Sequence, residues 1–121
     1  MEIPKPTADD RDRFVKLVPE ADGVEVKPMF GNLGAFVNGN MFMGLFGSDI
    51  GVKLNQSDQE RLLAEPGARP YGPAERPMSG YVTLPAGWPA RKAKPWIERA
   101  LAVGAALPPK QPKAKAKKQP T

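Results

Sequence analysis

The chain has 121 residues, of which 40% are hydrophobic and 26% charged, with no cysteine, no histidine and a formal net charge of +5. That length predicts a single core, and the two missing residue types exclude disulfides, thiolate nucleophiles, zinc–sulfur sites and the commonest general base. The charge excess lies in the tail: residues 1–107 balance thirteen Lys and Arg against thirteen Asp and Glu, whereas residues 108–121 carry Lys110, Lys113, Lys115, Lys117 and Lys118 without an acid.

No apolar run approaches the roughly eighteen residues of a membrane span. The opening "MEIPKPTADD" is acidic and Pro-bearing rather than basic and then apolar. The expectation is a soluble, cytoplasmic chain that is neither secreted nor membrane-bound.

Thr7 is the predicted N-cap of a first helix over about 8–18, with Asp10 placed to reach back and Asp9 and Asp10 at the positive end of the helix dipole. Phe14, Leu17 and Val18 form its apolar face, and Pro19 and Gly23 end it. "GVEVKPMF" reads as extended, with Pro28 pointing to an edge or a bulge because it cannot donate to a ladder. In "NLGAFVNGNMFMGLFG", Asn38-Gly39 suits a type I′ turn between two strands. With Val37 opposite Asn40, regular pairing sets Ala35 against Phe42 and Leu33 against Gly44. Leu33, Ala35, Val37, Phe42 and Phe46 then share the core side, and Phe36, Met41, Met43 and Leu45 the other.

A second tight turn at Gly47-Ser48-Asp49 leads to "IGVKL", which sends Ile50, Val52 and Leu54 inward and Lys53 outward. "SDQE" reads as a capping box with Ser57 as cap, starting a helix over about 58–65 that Pro66-Gly67 stops. The Pro- and Gly-rich stretch after it is a predicted loop, and "MSGYVTL" a last strand. Pro95 fits the first turn of a third helix in which Trp96, Ala100, Val103 and Leu107 recur beside Ile97, Leu101 and Gly104. The predicted architecture is α+β in two layers, an antiparallel sheet of about five strands with helices packed on one face. The domain spans 1–107, and the Lys-, Pro- and Ala-rich tail 108–121 is expected to be disordered for want of apolar surface.

"MFGNLGAFVNGNMFMGLFGSDIGVKLN", a short helix, "MSGYVTLP" and a terminal helix bearing "WIERAL" together resemble the N-terminal domain of the TfoX/Sxy proteins, bacterial regulators associated with natural competence. The resemblance covers about 9–107 and is most specific at Met29-Phe30-Gly31 and the Val37-to-Met43 hairpin. It implies a two-layer sheet laid out like secretion-chaperone domains and a regulatory, non-catalytic role. Asn32 stands where a second glycine is common in that family. The full regulators carry a second, helical domain with no counterpart in these residues, so the resemblance leads to an expectation of the fold rather than of competence control itself.

Gly31-Asn32-Leu33-Gly34 has the G-x-x-G form of an RNA-gripping loop, but it opens a strand instead of joining two helices. No G-K-[ST] follows a glycine cluster, so a phosphate-cradling loop is excluded. Asp49, Asp58, Glu60, Lys53, Ser48 and Ser79 are the remaining groups with catalytic capacity, and none sits in a local motif with a base or at metal-ligand spacing. The reading is a non-catalytic domain with no cofactor, no metal and no small-molecule substrate evident, and the alternative is an enzyme whose site is assembled from residues distant in the chain.

Phe36, Met41, Met43, Leu45 and Tyr81 are the predicted contact set for a partner protein or a second copy, since adaptable methionines beside aromatics suit such a surface. The alternative is that a loop, the Trp88 segment or the terminal helix covers that face, or that the strand register is off by one. The five tail lysines offer weak, sequence-independent phosphate contact, without base stacking because no aromatic is interleaved.

Overall fold

In the computed structural model, which describes residues 5–29, 31–73 and 77–108, Thr7 starts the fold. Its hydroxyl accepts the Asp10 N–H at 3.1 Å and its own N–H donates to the Asp10 carboxylate at 2.9 Å, the reciprocal box that opens helix α1, Ala8–Leu17. Four strands follow without interruption: β1 (Val24–Met29), β2 (Asn32–Val37), β3 (Asn40–Phe46) and β4 (Asp49–Lys53). Helix α2 (Gln56–Leu63), the two-residue strand β5 (Arg69–Pro70), β6 (Tyr81–Thr83) and helix α3 (Ala90–Ala106) complete the order. The strands pair antiparallel in the order β1-β2-β3-β4-β6-β5. The sixth strand, beyond the five expected, is β5, drawn from the Pro-rich loop.

Asn38 and Gly39 take φ of 52° and 84°, the left-handed values that a type I′ turn demands. Val37 and Asn40 pair as the turn dictates, and Phe36 faces Met41. One step further the ladder slips, and Ala35 faces Met43 instead of Phe42. Phe42 is the extra residue of a β-bulge, so Phe42 and Met43 both point into the core and every later side chain of β3 changes side. This corrects the regular pairing. Met43 and Leu45 are buried with Phe42, Ala35 and Val37 in the core, and Leu33 and Phe46 are only half-buried.

One cluster joins this sheet face to all three helices through Phe14 and Leu17 of α1, Leu62 of α2, and Ala93, Ile97 and Ala100 of α3. Gly104 lets α3 approach closely, since a Cβ there would stand 2.8 Å from Val37 Cγ1 and 3.2 Å from Phe42 Cβ. The end of α3 is held by Asn40 of the hairpin, whose side-chain amide donates to the Gly104 carbonyl at 3.4 Å and the Pro108 carbonyl at 3.0 Å.

Two helix starts differ from expectation. Asn55, not Ser57, caps α2, its side-chain oxygen accepting the Asp58 N–H at 2.8 Å. Asp58 instead turns inward, buried, where Arg99 of α3 donates to its two oxygens at 3.1 and 3.2 Å. Helix α3 begins a turn before the expected start, with Pro89 as cap residue, which leaves Pro95 inside the helix. The carbonyl that Pro95 cannot bond belongs to Arg91, an exposed residue, so water can satisfy it. The tail lysines and their expected disorder lie outside the described residues.

Candidate contact surface

The sheet face turned away from the helices is built on glycine. Gly34, Gly44 and Gly51 are direct cross-strand neighbours on β2, β3 and β4, so three adjacent strands present no side chain there. The trough has an occupant. Tyr71, next after β5, lies across Gly44 and Gly51 and is only 3% exposed. A Cβ on Gly51 would collide with the tyrosine ring, and one on Gly44 would meet its hydroxyl at 2.7 Å. The strand glycines are therefore a socket as well as a source of backbone freedom.

Several contacts hold Tyr71 in place. Arg69 donates to both oxygens of Asp49 at 3.0 and 2.7 Å, fastening β5 beside the β3–β4 turn. The Thr83 hydroxyl donates to the Pro70 carbonyl at 3.2 Å, and the Met78 N–H donates to the Tyr71 carbonyl at 2.8 Å. Phe46 meets the Tyr71 ring edge-on with centroids 6.2 Å apart, and Tyr81 flanks it at 5.9 Å. Burial, then the neighbouring Tyr81 and Asp49, pushes the Tyr71 phenol well above the ordinary tyrosine range. Burial alone pushes Tyr81 up to about 12.

Beyond Tyr71 the face remains apolar but only partly covered. Met29, Phe36 and Met41 converge over Gly34, each half-buried. The Tyr81 hydroxyl donates to the Met41 carbonyl at 3.0 Å, so its ring spans from β6 towards β3. Lysines frame the patch: Lys27 lies 5.4 Å from the Phe36 ring centroid and Lys53 5.2 Å from that of Tyr81. Of the predicted contact set, the fold thus gathers Phe36, Met41 and Tyr81 on one surface. Met43 and Leu45 are removed from it, at 0% and 2% exposure, because the bulge turns them to the helices.

Sequence reasoning missed Met29, the glycine socket and Tyr71. Glycines in mid-strand at "NLGAF", "FMGLF" and "DIGVK" were the available signal, since glycine inside a strand marks close approach by something else. The structural role of Asn32 was missed as well. It is buried, and its side-chain oxygen accepts the Gly47 N–H at 2.8 Å, joining the start of β2 to the β3–β4 turn.

Among the described residues no group of three or more acidic side chains is placed to hold a metal ion, and no helix is long and apolar enough to cross a membrane. Residues 3–104 match the protein-family model of the TfoX N-terminal domain. Neither a curated protein nor a solved structure matches the chain.

Proposed function

Because the chain belongs to the TfoX N-terminal domain family, we propose that it is a non-catalytic regulatory domain whose work is done by protein contact through the sheet face around Phe36, Met41 and Tyr81. The observation that carries this reading is the half-buried apolar patch of Met29, Phe36 and Met41, set on the side of the sheet away from the helices and framed by Lys27 and Lys53. An antiparallel sheet with one face packed usually turns a polar face to water. Aromatics and methionines offer area and adaptability to a partner, and two lysines at the rim favour a partner with acidic groups at the matching positions.

The test uses the whole chain as bait in a lysate of its native host, beside Met41→Lys and beside a chain ending at Leu107. A defined protein captured by the first and third but not by Met41→Lys supports the reading, provided Met41→Lys melts like the parent. Capture indifferent to Met41→Lys overturns the assignment of this face.

The second reading is sequence-independent nucleic-acid contact, favoured by the concentration of the net charge in Lys110, Lys113, Lys115, Lys117 and Lys118. In that case the chain ending at Leu107 loses phosphate-dependent binding altogether.

A further inference from the structure

A different surface points to a second copy of the chain. Strand β1 ends the sheet, and among the described residues no strand pairs with its outer side. The opposite end is protected, because β5 is two residues long and contains Pro70. Pairing of β1 with β2 decides which groups the free edge offers. The Asn38 N–H donates to the Gly23 carbonyl at 3.1 Å, and from there hydrogen-bonded pairs alternate through Glu25/Phe36, Lys27/Gly34 and Met29/Asn32. The backbone groups of Val24, Val26 and Pro28 therefore face outward. Pro28 has no N–H to offer, and the Val24 N–H turns back to the Ala21 carbonyl at 3.2 Å. The Val26 N–H and carbonyl remain as the complete pair.

The helix side of that edge is open and carries exposed apolar residues. Val15 of α1 and Val26 are 50% and 38% exposed, and both line a groove of about 940 Å³ between the end of α1, β1 and α3, whose lining is apolar at Val18, Val24 and Ile97 and charged at Lys16, Glu20, Lys94 and Glu98. The other side of the strand is charged, with the Glu25 and Lys27 side chains 66% and 54% exposed and joined within the chain by an ion pair of 3.4 Å, which exposure leaves weak and easily exchanged.

We propose that two copies associate by antiparallel pairing of their β1 edges about a two-fold axis at Val26. Val26 of each copy then exchanges both backbone hydrogen bonds with Val26 of the other, and the two valine side chains meet at the mouths of the grooves. In this register Glu25 stands directly opposite Lys27 of the second copy, and Lys27 opposite its Glu25, so the charged face is self-complementary, as a two-fold contact requires. Sliding by two residues one way sets Glu25 against Glu25, and the other way Lys27 against Lys27. The charges thus select one register. This inference does not rest on the contact face proposed above, although Lys27 of β1 borders both surfaces.

The experiment is sedimentation equilibrium of the whole chain over about a hundredfold range of concentration, where a dimer must form by mass action. Glu25→Lys turns two attractive cross-strand pairs into two repulsive ones and should raise the dimer dissociation constant by about tenfold. Adding Lys27→Glu to it should restore association to within about threefold of the parent, because the pairs are re-formed with signs exchanged. Val26→Lys places two like charges on the axis and should leave only monomer. Each variant should melt like the parent at concentrations where the chain is monomeric. A chain that stays monomeric throughout the range overturns the proposal. So does a dimer indifferent to Glu25→Lys and Val26→Lys, or one that Glu25→Lys weakens and the double exchange fails to recover.

Discussion

Phe42 and Met43 are consecutive residues of one strand and both lie in the same helix-side core at 0% exposure, which regular alternation forbids and a bulge permits. Phe42→Ala should cost about 3–5 kcal/mol, from lost transfer energy and the cavity left under α3. Met43→Lys should leave no folded chain at ordinary temperature, since it buries an unpaired ammonium. Melting curves of the two variants check both, and a Met43→Lys chain as stable as the parent would restore the regular register. Gly51 makes the matching case on the other face. Gly51→Ala drives its methyl into the Tyr71 ring and should displace that ring from its socket. Titration of tyrosinate absorbance reads this directly, because the chain has only two tyrosines and the displaced Tyr71 should ionise closer to the ordinary value of about 10.

At the scale of elements, helix α2 is launched by the Asn55 side chain while its Asp58 is committed to Arg99 of α3. Asn55→Ala should therefore lose about 1 kcal/mol of stability. Ser57→Ala, at an exposed position inside the helix, should change stability by less than about 0.5 kcal/mol. Chemical denaturation of the pair decides between the two caps, and a larger loss at Ser57 would move the start of the helix. The exposed ion pair of Arg69 with Asp49 has a role that its modest strength understates. It fixes a two-residue strand whose next residue is Tyr71, so it sets the position of the ring more than the stability of the fold.

For the molecule as a whole, the buried phenols set an alkaline limit. Folding raises both above the ordinary value of about 10, because burial disfavours the phenolate. The unfolded chain therefore loses these protons first. Stability from the two tyrosines is fully present below about pH 10 and drains away as pH rises from there through about 12, the range set by the Tyr81 value. Denaturant midpoints measured across that interval should fall, and should fall less for Tyr81→Phe. The tail gives a prediction at the same scale. If all five lysines of residues 108–121 meet duplex phosphates, the logarithm of DNA affinity should fall with that of salt at a slope no steeper than about −4.5. Unchanged affinity in a chain ending at Leu107 would move the binding onto the domain.

Much of this fold was legible in the residues because its signals are local. Thr7 and Asp10 carry their capping box within one turn, Asn38-Gly39 carry a turn that only positive φ closes, and Pro28 advertises an edge strand by its missing N–H. Family membership was legible for the same reason, through a run of turn and strand residues around the hairpin. The side chains of β3 were not. A bulge depends on whether the ladder gains by packing both Phe42 and Met43 against α3, and that gain belongs to residues about sixty positions away, among them Gly104. Tyr71 was hidden in the same sense: three glycines on three strands become a socket only when pairing sets them side by side, and nothing near Tyr71 in the chain records it. Local chemistry determined the elements and where they turn. Which face each residue serves was decided by tertiary packing, because a one-residue slip costs the backbone little and the core a great deal.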